Sequence, residues 1–186
     1  MNMKFYLKIS SILVAAAFLS TLPVEAQTFR QTKQGITGTT QGMDIEIQFV
    51  SPEIVRVVKA PEGRSFTKKS LSVVKSPESM SVTTEKKGET VSLKSNAVRV
   101  DFNVETGRIS FFDKQGKALF TEKDYGAQFT PFNDAGNQTF SVRQAFLLDK
   151  DEAIYGLGQQ QVDDLNQRNH KHFMRQRALY ASVPII

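Results

Sequence analysis

The sequence predicts an all-β protein, an antiparallel β-sandwich, and three observations carry that prediction. Apolar and polar residues alternate over short runs, as in Met43-Asp44-Ile45-Glu46-Ile47-Gln48-Phe49, the pattern of a strand with one buried face. Turn-forming residues then recur about every eight to ten positions through the middle of the chain, the spacing of a sandwich or barrel. Beyond the first 26 residues, no window keeps the 3.6-residue apolar period of a helix.

Taken in order, the chain begins with Lys4 and Lys8, an apolar run over 12–19, and Val24-Glu25-Ala26. Small residues at the two positions read by a signal peptidase mark 1–26 as a signal peptide cleaved after Ala26. The mature domain is then 27–186. The apolar run is too short and too interrupted by Ser, Thr and Pro for a membrane span. No cysteine follows it to carry a lipid. The expectation is an exported protein, periplasmic or secreted, with no stable membrane anchor.

Residues 27–42 are polar and Gly/Thr-rich around Phe29 and Ile36, which predicts a lead-in strand pair. The alternating strand over 43–49 ends at the turn Ser51-Pro52-Glu53. Residues 54–58, Ile-Val-Arg-Val-Val, are β-branched and almost continuously apolar, so a central strand is expected there. Residues 60–70 hold Pro61 and Gly63 and read as a loop. A hairpin follows, with residues 81–84 and 90–93 flanking Lys86-Lys87-Gly88-Glu89. Val98, Val100, Phe102 and Val104 share one face of the next strand, Glu105-Thr106-Gly107-Arg108 turns it, and Ile109-Ser110-Phe111-Phe112 returns. Asp113 to Lys117 turn the chain again into Ala118-Leu119-Phe120. Residues 121–137 contain Asp124, Gly126, Pro131, Asp134 and Gly136 and read as loop, with the last strands over 140–143 and 145–148 and an apolar strand end at Ile154-Tyr155. The 14 phenylalanines and 4 tyrosines are assigned to the core.

Composition removes several classes of function. With 40% hydrophobic and 23% charged residues the chain has the balance of a globular domain. The net charge of +5 comes from scattered lysines, without an arginine-rich helix or an aromatic-interleaved basic motif, so nucleic acid is not the expected partner. The absence of cysteine excludes disulfides, thiolate zinc sites and a thiol nucleophile. In an exported protein it fits a bacterial periplasm. His170 and His172 lack a third His or Cys, so neither a metal nor a cofactor is expected.

One stretch reads as a site. Residues 152–169, EAIYGLGQQQVDDLNQRN, place two glycines around Leu157 and follow them with amides, carboxylates and one guanidinium. Such donors and acceptors suit the hydroxyls of a neutral sugar. Glycoside hydrolysis needs two carboxyl groups about 5–5.5 Å apart across a bond in retaining enzymes. Adjacent Asp163 and Asp164 do not straddle a sugar in that way, so no catalytic residue is assigned.

The pieces Tyr155-Gly156-Leu157-Gly158-Gln159, Leu165-Asn166-Gln167-Arg168-Asn169 and Val183-Pro184-Ile185-Ile186, in this order, resemble glycoside hydrolase family 31, which contains α-glucosidases and α-xylosidases. The resemblance covers about residues 36–186 and is closest at the end. It implies the galactose mutarotase-like N-terminal β-sandwich, which in that family precedes a catalytic (β/α)8 barrel carrying the nucleophile and the acid/base. It further implies that the 27–186 domain is C-terminally incomplete and inactive alone, with its own barrel and an α-linked glycoside as partners. Asn166, Arg168 and Gln159 are the residues expected to bind substrate or shape its site. Two other readings fit an exported sandwich: a free-standing periplasmic carbohydrate-binding module, or a structural surface protein. Sugar-binding sandwiches usually stack their ligand on exposed aromatic rings, and this chain has no tryptophan.

Overall fold

The computed structural model describes residues 29–65, 70, 71, 73–159, 164–176 and 181–186, and no helix occurs among them. The strands form two antiparallel meanders. The first contains β1 (Phe29–Thr32), β2 (Gly35–Thr40), β3 (Met43–Phe49) and β4 (Val55–Pro61), side by side in chain order. The second contains β5 (Thr83–Lys87), β6 (Thr90–Lys94), β7 (Val98–Asn103), β8 (Ile109–Asp113), β9 (Ala118–Asp134) and β10 (Asn137–Leu147), again in chain order. Two short strands, β11 (Gly158–Gln159) and β12 (Ala181–Ser182), pair separately near the end of the chain.

The sheets close on each other because each carries a period-two apolar face. Met43, Ile45, Ile47 and Phe49 on β3 point into the core, where Val91, Leu93, Val100, Phe102 and Ile109 of the second sheet meet them together with Val104, just past β7. Full burial of each large aliphatic or aromatic side chain contributes roughly 1.5–3 kcal/mol. Polar ties hold both ends. Ser95 Oγ donates to the Pro52 carbonyl at 2.6 Å and accepts from the amides of Ala97 and Val98. At the other end Thr40 Oγ1 and Gln41 Nε2 donate to the Glu105 carbonyl at 3.0 and 2.8 Å. The alternating strand at 43–49, the hairpin around Gly88 and the meander from Val98 to Phe120 therefore form as the sequence predicts.

Four expectations are corrected. Of the apolar segment 54–58, residues 55–58 lie in β4, which is the edge of its sheet and not its centre. Residues 121–137 are mostly strand: β9 runs for 17 residues and pairs with β10 along nearly its whole length. Its turn-like residues mark a bulge, in which residues 123–126 stand opposite Ala145 with Asp124 and Gly126 at φ 54° and 74°. Pro131 is tolerated because, among the described residues, this half of β9 pairs only with β10 and its other edge carries no ladder. Residues 154–155 do not end a strand, since β10 stops at Leu147. Finally, the phenylalanines do not all fill the core. Phe49 and Phe102 are fully buried, whereas Phe120, Phe132 and Phe173 are exposed.

Candidate functional site

Gly156-Leu157-Gly158 turns the chain with all three residues at positive φ, 110°, 64° and 85°. The terminal segment packs directly on this turn. Leu157 N–H donates to the Ile185 carbonyl at 2.8 Å, Val183 N–H donates to the Leu157 carbonyl, and Gly158 pairs with Ser182. A Cβ on Gly158 would stand 1.9 Å from the Ala181 carbonyl oxygen, and one on Gly156 would stand 2.3 Å from that of Ile185. The glycines are required by backbone approach as well as by backbone angle.

The polar loop is pinned to the chain just before this turn. Asn166 Oδ1 accepts from the amides of Ile154 and Arg168 at 3.0 and 3.1 Å. Arg168 Nη1 donates to the carbonyls of Asp149 and Glu152, a charge-assisted clamp on the chain that leaves β10. Gln167 is buried, with its amide N–H on the Ile154 carbonyl and Nε2 on the Asp164 carbonyl. Farther on, Gln176 exchanges two hydrogen bonds with the Ser182 backbone. Of the expected substrate residues, Asn166 and Arg168 thus sit together in one loop. Gln159 is exposed on β11, paired to Ala181. Asp163 and residues 1–28, with the expected signal peptide, lie outside the described residues. Among the described residues no His/Cys/Asp/Glu cluster suited to a metal ion occurs; His170 and His172 stack at 6.1 Å, and His170 Nε2 lies 3.8 Å from the exposed Asp164.

Sequence reasoning missed a second polar constellation. Lys59 on β4 and Glu122 on β9 form an ion pair at 2.6 Å between the two sheets, with side chains 5% and 6% exposed. The pair is saturated. Lys59 Nζ also donates to the carbonyls of Gly107 and Tyr125, while Glu122 accepts from the Ile109 amide and from Gln144 Nε2, each at 2.8 Å. The β9 bulge wraps the carboxylate so closely that a Cβ on Gly126 would fall 2.3 Å from it. Burial lowers the Lys59 pKa from its ordinary value, against the opposing pull of the Glu122 hydrogen bond and charge. The signal was present in the strand phase, since Val55, Val57 and Lys59 share one face of β4.

A family model for the glycosyl hydrolase 31 N-terminal galactose mutarotase-like domain matches residues 44–185. The chain belongs to this family. Its relatives include α-xylosidases. The Saccharolobus solfataricus α-xylosidase is 30% identical over 118 residues, which are 63% of this chain and 16% of that protein. The structure of the glycoside hydrolase family 31 α-xylosidase from Xanthomonas citri superposes with a TM-score of 0.76 at 31% identity, over 83% of this chain and 17% of that one. A family 31 α-xylosidase from a soil metagenome, solved with xylose, shares the fold at 24% identity, with a TM-score of 0.70 over 84% of this chain and 26% of that one. The chain therefore spans well under two thirds of the length of these relatives.

Proposed function

We propose that this chain is the non-catalytic N-terminal domain of an exported retaining α-glycosidase of the α-xylosidase or α-glucosidase type. What carries the reading is the pinned loop beyond the double-glycine turn, in a chain 31% identical to the Xanthomonas citri α-xylosidase across 83% of its length. Arg168 Nη1 and Asn166 Oδ1 are taken up by backbone groups. These bonds fix the loop's shape, with Asn166 exposed and Arg168 half-buried. That arrangement supports a role in framing a sugar subsite whose reacting carboxylates come from a catalytic barrel. Signal-peptide cleavage after Ala26 and release into the periplasm or medium belong to the same reading. So do an α-linked glycoside and the protein's own barrel as partners.

The test is hydrolysis of aryl α-xylosides and α-glucosides by the 186-residue chain and by the product of the same gene read past Ile186. The short chain is expected to release no phenol, the longer one to turn over at least one of the two. Activity of the short chain that survives purification would overturn the non-catalytic assignment.

A further inference from the structure

Where the turn after β7 meets the bulge of β9, a polar pocket of about 450 Å³ opens at the surface. Asn103, Thr106 and Arg108 line it from the turn side, and Asp124, Tyr125 and Gln128 from β9. None of these residues belongs to the pinned loop. We propose that this pocket binds one pyranose residue of a neutral glycan. The binding uses groups of this chain alone, so it stands apart from the proposed glycosidase activity.

Three observations support it. The first is chemistry: the lining brings one guanidinium, one carboxylate and two carboxamides beside a tyrosine ring. Among the lining residues the positive and the negative charge cancel, which gives a free ion no net attraction. Neighbouring donors and acceptors suit adjacent hydroxyls instead. The ring of Tyr125, 42% exposed, adds apolar surface on which the C–H groups of a sugar pack. The volume lies within the range of about 300–1,000 Å³ usual for small-molecule sites. Second, these groups are unspent. Among the described residues no hydrogen bond or ion pair engages the Arg108 guanidinium, the Asp124 carboxylate or the amide nitrogens of Asn103 and Gln128. Gln128 uses only Oε1, which accepts from Arg143 Nη1 at 3.4 Å. Third, the backbone beneath them is fixed. Asn103 Oδ1 accepts from the amides of Glu105 and Thr106 and so shapes the turn. The buried Lys59 Nζ donates to the Gly107 carbonyl at 2.9 Å and to the Tyr125 carbonyl at 3.3 Å, one on each side of the pocket. Its partner Glu122 accepts from the Ile109 amide, which follows the turn. The ion pair is thus a clamp that sets the two walls before any ligand arrives, which lowers the ordering cost of binding. The bulge completes the wall by inserting residues 123–126 opposite Ala145, with Asp124 and Tyr125 exposed side by side.

The experiment is titration of the 186-residue chain with D-xylose, D-glucose, maltotriose and inorganic phosphate, followed residue by residue through amide NMR shifts. At least one of the three sugars should move the amides of Thr106, Arg108, Asp124, Tyr125 and Gln128 together and saturably, with a millimolar Kd, and phosphate should not. Tyr125→Ala and Arg108→Ala should each weaken that sugar about tenfold or more. Both side chains are exposed, so the Tm of either variant should stay near that of the native chain. No saturable shift with any of the sugars overturns the proposal. So do shifts confined to residues 156–176, saturation by phosphate alone, or sugar affinity that both variants retain. The map on the unsubstituted chain decides the matter even if a variant fails to fold. Hydrolysis of aryl α-glycosides by the longer gene product without pocket shifts in the short chain removes this site alone. Pocket shifts without such hydrolysis remove the glycosidase reading and leave the site in place.

Discussion

Lys59 occupies a position where the phase of its own strand calls for another valine. Its ammonium is held by one carboxylate and two carbonyls, so the charge is buried but never unpaired. Replacing it by methionine would leave the Glu122 carboxylate buried beside apolar surface. Lys59→Met is expected to lower unfolding free energy by about 3–5 kcal/mol in urea titration, the usual consequence of removing one partner of a buried pair. The same residue sets a pH dependence. The folded chain gives up the Lys59 proton below the ordinary lysine value of 10.5, because burial disfavours the charge. Between that lower value and 10.5 the unfolded chain holds more protons, so the stability contributed through Lys59 rises with pH across this alkaline window. The gap between native protein and Lys59→Met should widen as unfolding is measured at increasing alkaline pH. A gap that narrows would refute the assignment. Gly158 offers a second test at this scale. Gly158→Ala meets the Ala181 carbonyl oxygen at 1.9 Å, whereas Gly88→Ala, at φ 57° in an open turn, meets nothing within 4 Å. Gly88→Ala should cost about 1–2 kcal/mol of backbone strain. Gly158→Ala should instead detach residues 181–186, seen as rapid exchange and early proteolysis of that segment with the sandwich core intact.

Among the elements, the pinned loop invites the most direct measurement. Arg168→Ala removes two charge-assisted bonds to the chain leaving β10, each class of bond worth about 1.5–3 kcal/mol. Faster exchange over 164–176 is expected, together with a roughly tenfold to hundredfold fall in kcat/KM of the proposed full-length glycosidase. A fall in activity with unchanged exchange would show that Arg168 touches sugar and does not merely hold the loop. These elements also show what sequence could and could not convey. β3 was legible because its face faults nowhere, from Met43 to Phe49. β9 was not, because Asp124, Gly126 and Pro131 are turn residues in isolation and become strand residues only when a long partner, β10, supplies the ladder around them. β4 read as central because local sequence reports apolarity on both faces, whereas the number of neighbours is decided by the rest of the fold. The same limit applied to the site. The double glycines were visible as glycines, but the carbonyl that each one accommodates lies about 25 residues away. Gln167, the buried member of the loop, looked like any of its amide neighbours.

At the scale of the whole molecule, the proposed role as a non-catalytic domain predicts that the 186-residue chain folds a core of its own and performs no hydrolysis. Its order of strands has a further consequence for how that core is reached. Every hydrogen-bonded neighbour in both large sheets is also a neighbour in sequence, from β1 to β4 and from β5 to β10. Each sheet can therefore assemble by successive short loop closures, which are entropically inexpensive and fast. The joining of the sheets is different: Lys59 must find Glu122 across 63 residues. Pulse-labelled exchange during refolding should show the amides of β2, β3, β6 and β7 gaining protection before the Ile109 amide that seals Glu122. The charged pair would then report the moment at which two ribbons become one body, and Lys59→Met should slow that late step while leaving the early ones at their native rates.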